Sequence, residues 1–414
     1  MPDIENMSIT RRGFLGACAL LPSISLAGPP NQTASGFVRA RGKHLVTPAG
    51  EKLILRGINL GNWLEAEGYM FLFEGGPQAP HEIETLVEEL IGPDGATTFW
   101  QEWRRTYITP EDIQLIKRSG LNSVRIPLHY KFFSSTEDGF RIIDPVIEAC
   151  RREQLWVILD LHCAPGGQTG TNIDDSLGYP WLYDSPSAQQ LTCDIWKRIA
   201  QHYKNDSIIL GYDLLNEPIP HFPRLRKYNS QLEPLYKKVT AAIREVDTNH
   251  VVILGGAQWD SNFKVFGPPF DSNVLYQLHK YWMPPTQASI QEYIDFRERY
   301  DVPIWLGESG ENNDEWIRNF AAVLDHNEIG WCFWPYKKME KTSCMVSIPK
   351  PAYWDEIVAF AKLPRGTGEA EKRIAARPPQ EHIQQSFDDL LKKIPLASCT
   401  ANKGYFNALG LKIG

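Results

Sequence analysis

Eight apolar runs, spaced between amphipathic stretches, constrain this chain more than any other feature. They are "KLILRGINL" (52–60), "SVRIPL" (123–128), "WVILDLH" (156–162), "IILGYDLLNEP" (208–218), "HVVILGG" (250–256), "VLYQLHKY" (274–281), "PIWLGESG" (303–310) and "GWCFWPY" (330–336). Most lack the period-2 alternation of a half-exposed strand, as expected of parallel strands covered on both faces. Helical stretches separate them. In "TPEDIQLIKRSG", Thr109 precedes Pro110, acids come early, bases come late and Gly120 closes the segment, the order of signals that starts and stops a helix. "PVIEACRREQ", "SAQQLTCDIWKRIAQHYK", "LEPLYKKVTAAIREVD" and "ASIQEYIDFRERY" read the same way. Eight strands alternating with helices predict an α/β fold, a (β/α)8 TIM barrel. A doubly wound open sheet is the competing arrangement, but no strand is followed by a glycine-rich phosphate-binding turn.

Two segments fall outside the repeat. Residues 65–105 form a long insertion after the first strand, helical in "HEIETLVEELIG" and "ATTFWQEWRRTY". Residues 365–414 form a tail in which "EHIQQSFDDLLKKI" has helical spacing. The tail is too short for a core of its own and is expected to pack on the barrel exterior. The N-terminus carries Thr10-Arg11-Arg12-Gly13-Phe14-Leu15, a short apolar run, and a small-x-small site at Ser25-Leu26-Ala27. The run is too short to span a bilayer, and the paired arginines resemble a twin-arginine export signal. The expected division is therefore a leader at 1–27, a barrel domain at 28–364 and a helical extension at 365–414. The expected location is periplasmic or extracellular.

Composition narrows the function classes. Of 414 residues, 43% are hydrophobic and 22% charged, which supplies a large core. Net charge is −7 and no basic stripe appears, so nucleic acid is an unsuitable partner. No other run is long enough for a transmembrane segment, and a monomer is expected. Seven cysteines occur without a CxxC pair, which argues against a structural zinc site. Free, buried thiols are expected. Trp and Tyr number 13 and 16; they serve either as core aromatics or as flat faces for stacking on sugars.

Polar and ionisable residues recur where the runs end: Asn59, Arg125, His162, Glu217, His279, Glu308 and Trp334. Barrel enzymes build their sites at that end. Glu217 and Glu308 each close an apolar run, where an acid is costly without partners. Either alone reads as a surface acid or an ion-pair member. Together, on nearly opposite strands of one mouth, they form a pair that can divide labour, one protonated and one ionised. Glycosidic-bond hydrolysis needs such a pair.

"LLNEP", "LGESG", "VRIP", "DLH", "LHKY" and "CFWPY" together resemble glycoside hydrolase family 5, a retaining (β/α)8-barrel family of cellulases and related β-glycosidases, over roughly residues 50–345. The resemblance implies roles for eight residues. Glu308 matches the nucleophile and Glu217 the acid/base. Arg125 matches the arginine supporting the nucleophile, and His162 the third-strand histidine. Asn216 matches the amide that binds the sugar 2-hydroxyl. His279 and Tyr281 match the sixth-strand pair, and Trp334 the aromatic platform. Physically, Arg125 and the Tyr281 hydroxyl would favour an ionised nucleophile, while an apolar setting and the neighbouring charge of Glu308 would keep Glu217 protonated. The implied substrate is a β-linked oligosaccharide or polysaccharide.

Bland readings stand beside these. Arg125 could be a structural ion-pair arginine, His162 and His279 core histidines, and Tyr281 and Trp334 core aromatics. A metal set of His162, His279 and Glu308 lacks H-x-H or H-E-x-x-H spacing, so no metal and no cofactor is expected. Further subsite candidates are Trp63 and Glu67 in "WLEAEGYMFLF" (63–73), which leaves the first strand, Asp174, Asp175 and Trp181 in the glycine-rich loop "HCAPGGQTGTNIDDSLGYPW" (162–181), and Trp259 in "GAQWD". A sugar-binding protein without catalysis is one rival reading. A serine hydrolase using Ser309 is another, but its nucleophile elbow needs glycine where Glu311 stands. The insertion and the glycine-rich loop suggest a partly closed mouth, which favours exo or short-oligosaccharide action. Endo action and the identity of the glycan stay open.

Overall fold

The computed structural model describes residues 36–413. The paired arginines, Cys18 and the Ser25–Ala27 site lie outside the described residues. Strands β1 (Arg56–Asn59), β2 (Ser123–His129), β3 (Trp156–Cys163), β4 (Ile209–Asp213), β5 (Val251–Gly255), β6 (Val274–His279), β7 (Ile304–Glu308) and β8 (Gly330–Phe333) close into an eight-stranded barrel. Every pairing is parallel, and β8 returns to β1 through Trp331–Arg56, Cys332–Gly57 and Phe333–Ile58. All eight strands are buried along nearly their full length, which explains the unbroken apolar runs that announced them.

Two of those runs are divided differently from their hydrophobicity. "KLILRGINL" contains two strands. Lys52–Leu53 pairs antiparallel with His44–Val46, which pairs with Arg39–Arg41 in a separate three-stranded sheet. Leu45, Leu53 and Leu55 of this region join Trp156, Leu210, Leu275 and Trp305 in an apolar cluster at the starts of the barrel strands. The fourth run ends its ladder at Asp213, well before Pro218. Its next residues stay bonded to both flanking strands: Leu214 N–H donates to Ile253 O at 3.1 Å and Asn216 N–H to Leu161 O at 3.1 Å. Glu217 then turns out of the ladder with a left-handed φ of 46°. Such a conformation costs a non-glycine residue about 1–3 kcal/mol unless the surroundings hold it.

The helices follow their sequence signals. The insertion is α1 (Pro80–Thr106), broken at Gly92 (φ 75°, ψ 166°) before Pro93, so its two predicted halves join across a kink. In α2 (Pro110–Ser119) the Asp112 carboxylate accepts from Thr109 N–H at 2.8 Å and from its hydroxyl at 2.9 Å, and Gly120 closes the helix at φ 102°. Between the remaining strands run α3 (Asp138–Glu153), α4 (Pro186–Tyr203), α5 (Asn229–Arg244), α6 (Gln291–Tyr300) and α7 (Asp314–His326), and α8 (Trp354–Ala361) follows the last.

The tail helix α9 (Gln380–Lys393) lies on the outside of the barrel, with Phe387 edge-on to Phe99 of α1 at 5.2 Å and to Trp354 of α8 at 5.8 Å. It shares the main apolar core through Ile383, Phe387, Leu390 and Ile394. Beyond it, Thr400–Ala401 pairs with Val346–Ser347, and Val346–Ile348 pairs in turn with Lys337–Met339 just past β8. The buried Lys337 ammonium donates to Tyr107 O at 2.6 Å and Ile394 O at 3.0 Å and pairs with Asp112 at 2.7 Å. The six described cysteines form no disulfide; five are buried and Cys399 is half-buried. No described helix is long and apolar enough to cross a membrane.

Candidate active site

The centre of the barrel mouth is a buried guanidinium. Arg125 on β2 is fully enclosed, and its ion-pair partners come from three other strands: Glu308 at 2.5 Å, Asp213 at 2.8 Å and Asp160 at 3.1 Å. It also donates to Asn59 Oδ1 at 3.0 Å and Asn216 Oδ1 at 2.9 Å. One positive charge cannot match three carboxylates, and burial pushes Asp160 up to about 7. Glu308 Oε1 takes the Arg125 contact, while Oε2 accepts from the Tyr281 hydroxyl at 3.2 Å.

Asn216 is oriented by the same cluster. Because its Oδ1 accepts from Arg125, its amide nitrogen faces His162 Nε2 at 3.2 Å. Burial drives His162 down to about 4, so it is neutral near pH 7. With Nδ1 2.7 Å from Asp160 Oδ2, its proton belongs on Nδ1 and Nε2 accepts from Asn216. The second amide hydrogen of Asn216 remains for a ligand.

Glu217 faces the same space from the β4 side. Its side chain is 15% exposed, His279 Nδ1 lies 3.0 Å from its Oε1, and its backbone N–H donates to Asp260 Oδ2 at 3.1 Å. Burial raises Glu217 to about 7, against the opposing fields of His162 and Arg125. Of the two expected causes, burial is the one that acts here; Glu308 is not among the charges that shift Glu217. Burial also drives His279 down to about 3. One oxygen of Glu217, one of Glu308 and a His279 nitrogen lie within 4.8 Å of one another. A cluster of that kind could also hold a cation.

These groups open into a pocket of about 860 Å³. Glu217, Glu308, Asn216, His162, His279, Tyr281 and Trp334 all line it, with Arg125 directly behind. Trp334 lies parallel to the His162 ring at 5.4 Å and 11°. Its indole N–H donates to the Tyr69 hydroxyl at 2.7 Å, and Tyr69 donates to Glu311, which is clamped by Lys338 at 2.6 and 2.7 Å. Gly61 makes room for the indole: a Cβ there would lie 2.3 Å from the ring.

The subsite candidates divide. Trp259 and Glu67 line the pocket. Trp63 does not: it is buried in the core, and its indole N–H donates to Arg104 O at 2.8 Å. Asp174 is spent on its own loop, accepting from the backbone of Thr169, Gly170 and Ser176. Asp175 pairs with His81 at 2.6 Å and His129 at 2.8 Å, tying the loop to α1 and to the end of β2. Trp181 is exposed beside Tyr179 and lines no part of the pocket. The loop instead presents Thr171, Asn172 and Ile173. Sequence reasoning missed Tyr69, Glu311, Phe222 and Trp282 in the wall, and the buried Asp160, Asp213 and Asp260 behind it. Asp160 and Asp213 did leave a signal, since each is an acid inside an apolar run.

A parallel eight-stranded barrel with two carboxyls meeting over a buried arginine defines a class of barrel hydrolase. The chain belongs to glycosyl hydrolase family 5: residues 87–340 match the family profile described as "Cellulase (glycosyl hydrolase family 5)". It is 26% identical over 345 residues to a β-xylosidase of Phanerodontia chrysosporium, covering 73% of this chain and 71% of that protein. It is 25% identical over 311 residues to endoglucanase C of Acetivibrio thermocellus, covering 58% of this chain and 88% of that one. A rutinosidase structure from Aspergillus niger shares the fold at a TM-score of 0.56 and 18% identity, covering 70% of this chain and 92% of that one.

Proposed function

We propose that this glycoside hydrolase cleaves a β-linked glucan or related oligosaccharide with retention, by double displacement, and acts outside the cytoplasm. The observation that carries the mechanism is the spacing and contrast of the two carboxyls. An oxygen of Glu217 and one of Glu308 lie within 4.8 Å. That agrees with the roughly 5–5.5 Å of a retaining pair and leaves no room for the water that an inverting pair holds at about 6.5–9.5 Å. Glu308 acts as the nucleophile, with Arg125 and Tyr281 as partners for its charge. Glu217 acts first as the acid that protonates the leaving oxygen and then as the base that activates water. Asn216 donates to the sugar 2-hydroxyl, where such bonds strengthen in the transition state, and Trp334 offers its face to the pyranose.

The names of the relatives support β-glucans and β-xylosides as the substrate range, and the aromatic walls suit pyranose faces. Export rests on Arg11-Arg12 and the small-x-small site at Ser25–Ala27. The test is a screen of β-linked oligosaccharides with the anomer of the first-formed product read by NMR. The β-anomer is expected, and an initial α-anomer would sink the mechanism.

The pH profile is a second expected result. Glu217 must be protonated to act as the acid, and it loses its proton at about 7. kcat/KM should therefore fall about tenfold per pH unit above that point. Stability should move the same way. Asp160 and Glu217 both hold protons in the folded state up to about 7, so the stability linked to them is full below the ordinary carboxylate range and is lost as pH rises through about 7. The buried His162 and His279 oppose this trend below the ordinary histidine value, so thermal melts above roughly pH 6.5 measure it; a rising Tm there would contradict it.

A further inference from the structure

Asp260 touches no part of the pocket, yet the structure goes to some length to place it. Its side chain is fully buried at the end of the turn Ala257–Asp260 that follows β5. Gln258, Trp259 and Asp260 are all left-handed, with φ of 55°, 56° and 56°. Three consecutive non-glycine residues in that region persist only where the surroundings over-determine them. Gly255 is part of that arrangement, since a Cβ there would lie 1.8 Å from Asp260 Oδ1.

The placement serves Glu217 twice. Asp260 Oδ2 accepts the Glu217 backbone N–H at 3.1 Å and lies 3.3 Å from His279 Nε2. Neither His279 Nε2 nor Asp260 Oδ1 has another hydrogen-bond partner. On its other side, His279 Nδ1 faces Glu217 Oε1 at 3.0 Å and Glu308 Oε2 at 3.6 Å. A ring nitrogen between two acids is best occupied by an N–H. The imidazole is neutral, so its Nε2 is then bare and needs a donor. The polar atom within reach is Asp260 Oδ2, which donates only if Asp260 carries a proton. Burial beside Asp213 and Glu217 raises Asp260 well above the usual carboxylate range, with Arg125 opposing. Glu308, Arg125 and His162 are the other charged and titratable groups acting on His279.

We infer that Asp260 is a positioning residue for Glu217: its carboxyl donates to His279 Nε2, fixing His279 as an Nδ1–H donor to Glu217 Oε1. The inference rests on Glu217 being the acid/base. With Oε1 engaged by His279, the proton of Glu217 sits on Oε2 and is free for the leaving oxygen. No proton moves through the chain. In the second step the same Nδ1–H stabilises the Glu217 carboxylate as base. The opposite tautomer would leave Nδ1 bare and turn the Glu217 O–H toward it, away from the substrate.

Two measurements test this. In the unliganded wild-type enzyme, ¹⁵N imidazole NMR should find the His279 proton on Nδ1 at pH 5 and at pH 8; a proton on Nε2 overturns the inference. In Asp260→Asn, the amide cannot both accept from Glu217 N–H and donate to Nε2 at one atom. kcat/KM should fall by on the order of 10–100-fold, the scale of losing a group that orients a metal-ligating histidine, on aryl glycosides with poor leaving groups. It should change little on a dinitrophenyl glycoside, which needs no acid. Equal losses on both substrates, or no loss on either, overturn it. If Asp260→Asn does not fold, the wild-type NMR result decides. Failure of the underlying reading would look different, because Glu217→Ala would then show no added sensitivity to the leaving group.

Discussion

Glu308→Gln should lower turnover of an aryl β-glycoside by on the order of 10⁴–10⁶-fold, the scale of removing a covalent nucleophile, without unfolding the protein. The amide keeps the shape of the side chain but cannot attack the anomeric carbon. The fold should tolerate the change because Arg125 keeps Asp213 at 2.8 Å and Asp160 at 3.1 Å, so no buried charge is stranded. Removing one carboxylate also relieves an excess of negative charge around a single guanidinium. Circular dichroism and a melt separate lost chemistry from lost structure. Near-normal turnover by a folded Glu308→Gln enzyme would show that the nucleophile is elsewhere.

Glu217→Ala should produce a loss that depends on the leaving group. Substrates with a poor leaving group need the proton in the first step and should slow by roughly 10²–10⁴-fold, the usual worth of general acid catalysis. A dinitrophenyl glycoside should still form the intermediate, which then accumulates because no base activates water. Azide, a small nucleophile that needs no base, should fit the space left by the carboxyl and restore turnover. A β-azide product is expected; an α-azide would mean that the reaction does not proceed through a covalent intermediate on the opposite face.

The barrel was legible because its strands are buried on both faces, so the apolar runs and the strands coincide in number. Their limits were less legible. "KLILRGINL" keeps apolar residues through both halves because both are covered: Leu53 and Leu55 lie in the strand-start cluster, and Ile58 and Leu60 in the main core. Hydrophobicity does not register the corner between them. The fourth run stays apolar past Asp213, where the strand ends, because Leu214 and Leu215 are still fully buried and Leu214 still bonds to Ile253 O.

The residues expected to gather around the carboxyls do meet at one mouth, since each sits at a strand end and the fold brings those ends together. The loop candidates fared differently. Asp174 and Asp175 are sugar-binding residue types in a mobile-looking sequence, but their oxygens are consumed by backbone amides and histidines. Residue type does not say which way a loop side chain turns. Asp260 was invisible for a related reason, as it sits in the same "GAQWD" where Trp259 drew attention, and its importance lies in a contact with a histidine on the next strand.

The tail has a consequence for the order of events in making this enzyme. Trp334 is steadied through Tyr69 and Glu311 by Lys338, and Lys338 lies on the strand whose neighbour, Val346–Ile348, is completed by Thr400–Ala401. Asn402 secures the same corner, accepting from the Ser347 hydroxyl at 3.1 Å and donating to Met345 O and Cys344 O at 2.9 Å each. In chain order, all eight barrel strands, Glu217 and Glu308 precede residues 400–402. The support behind Trp334 is therefore completed last, so catalytic competence should trail synthesis of the barrel strands.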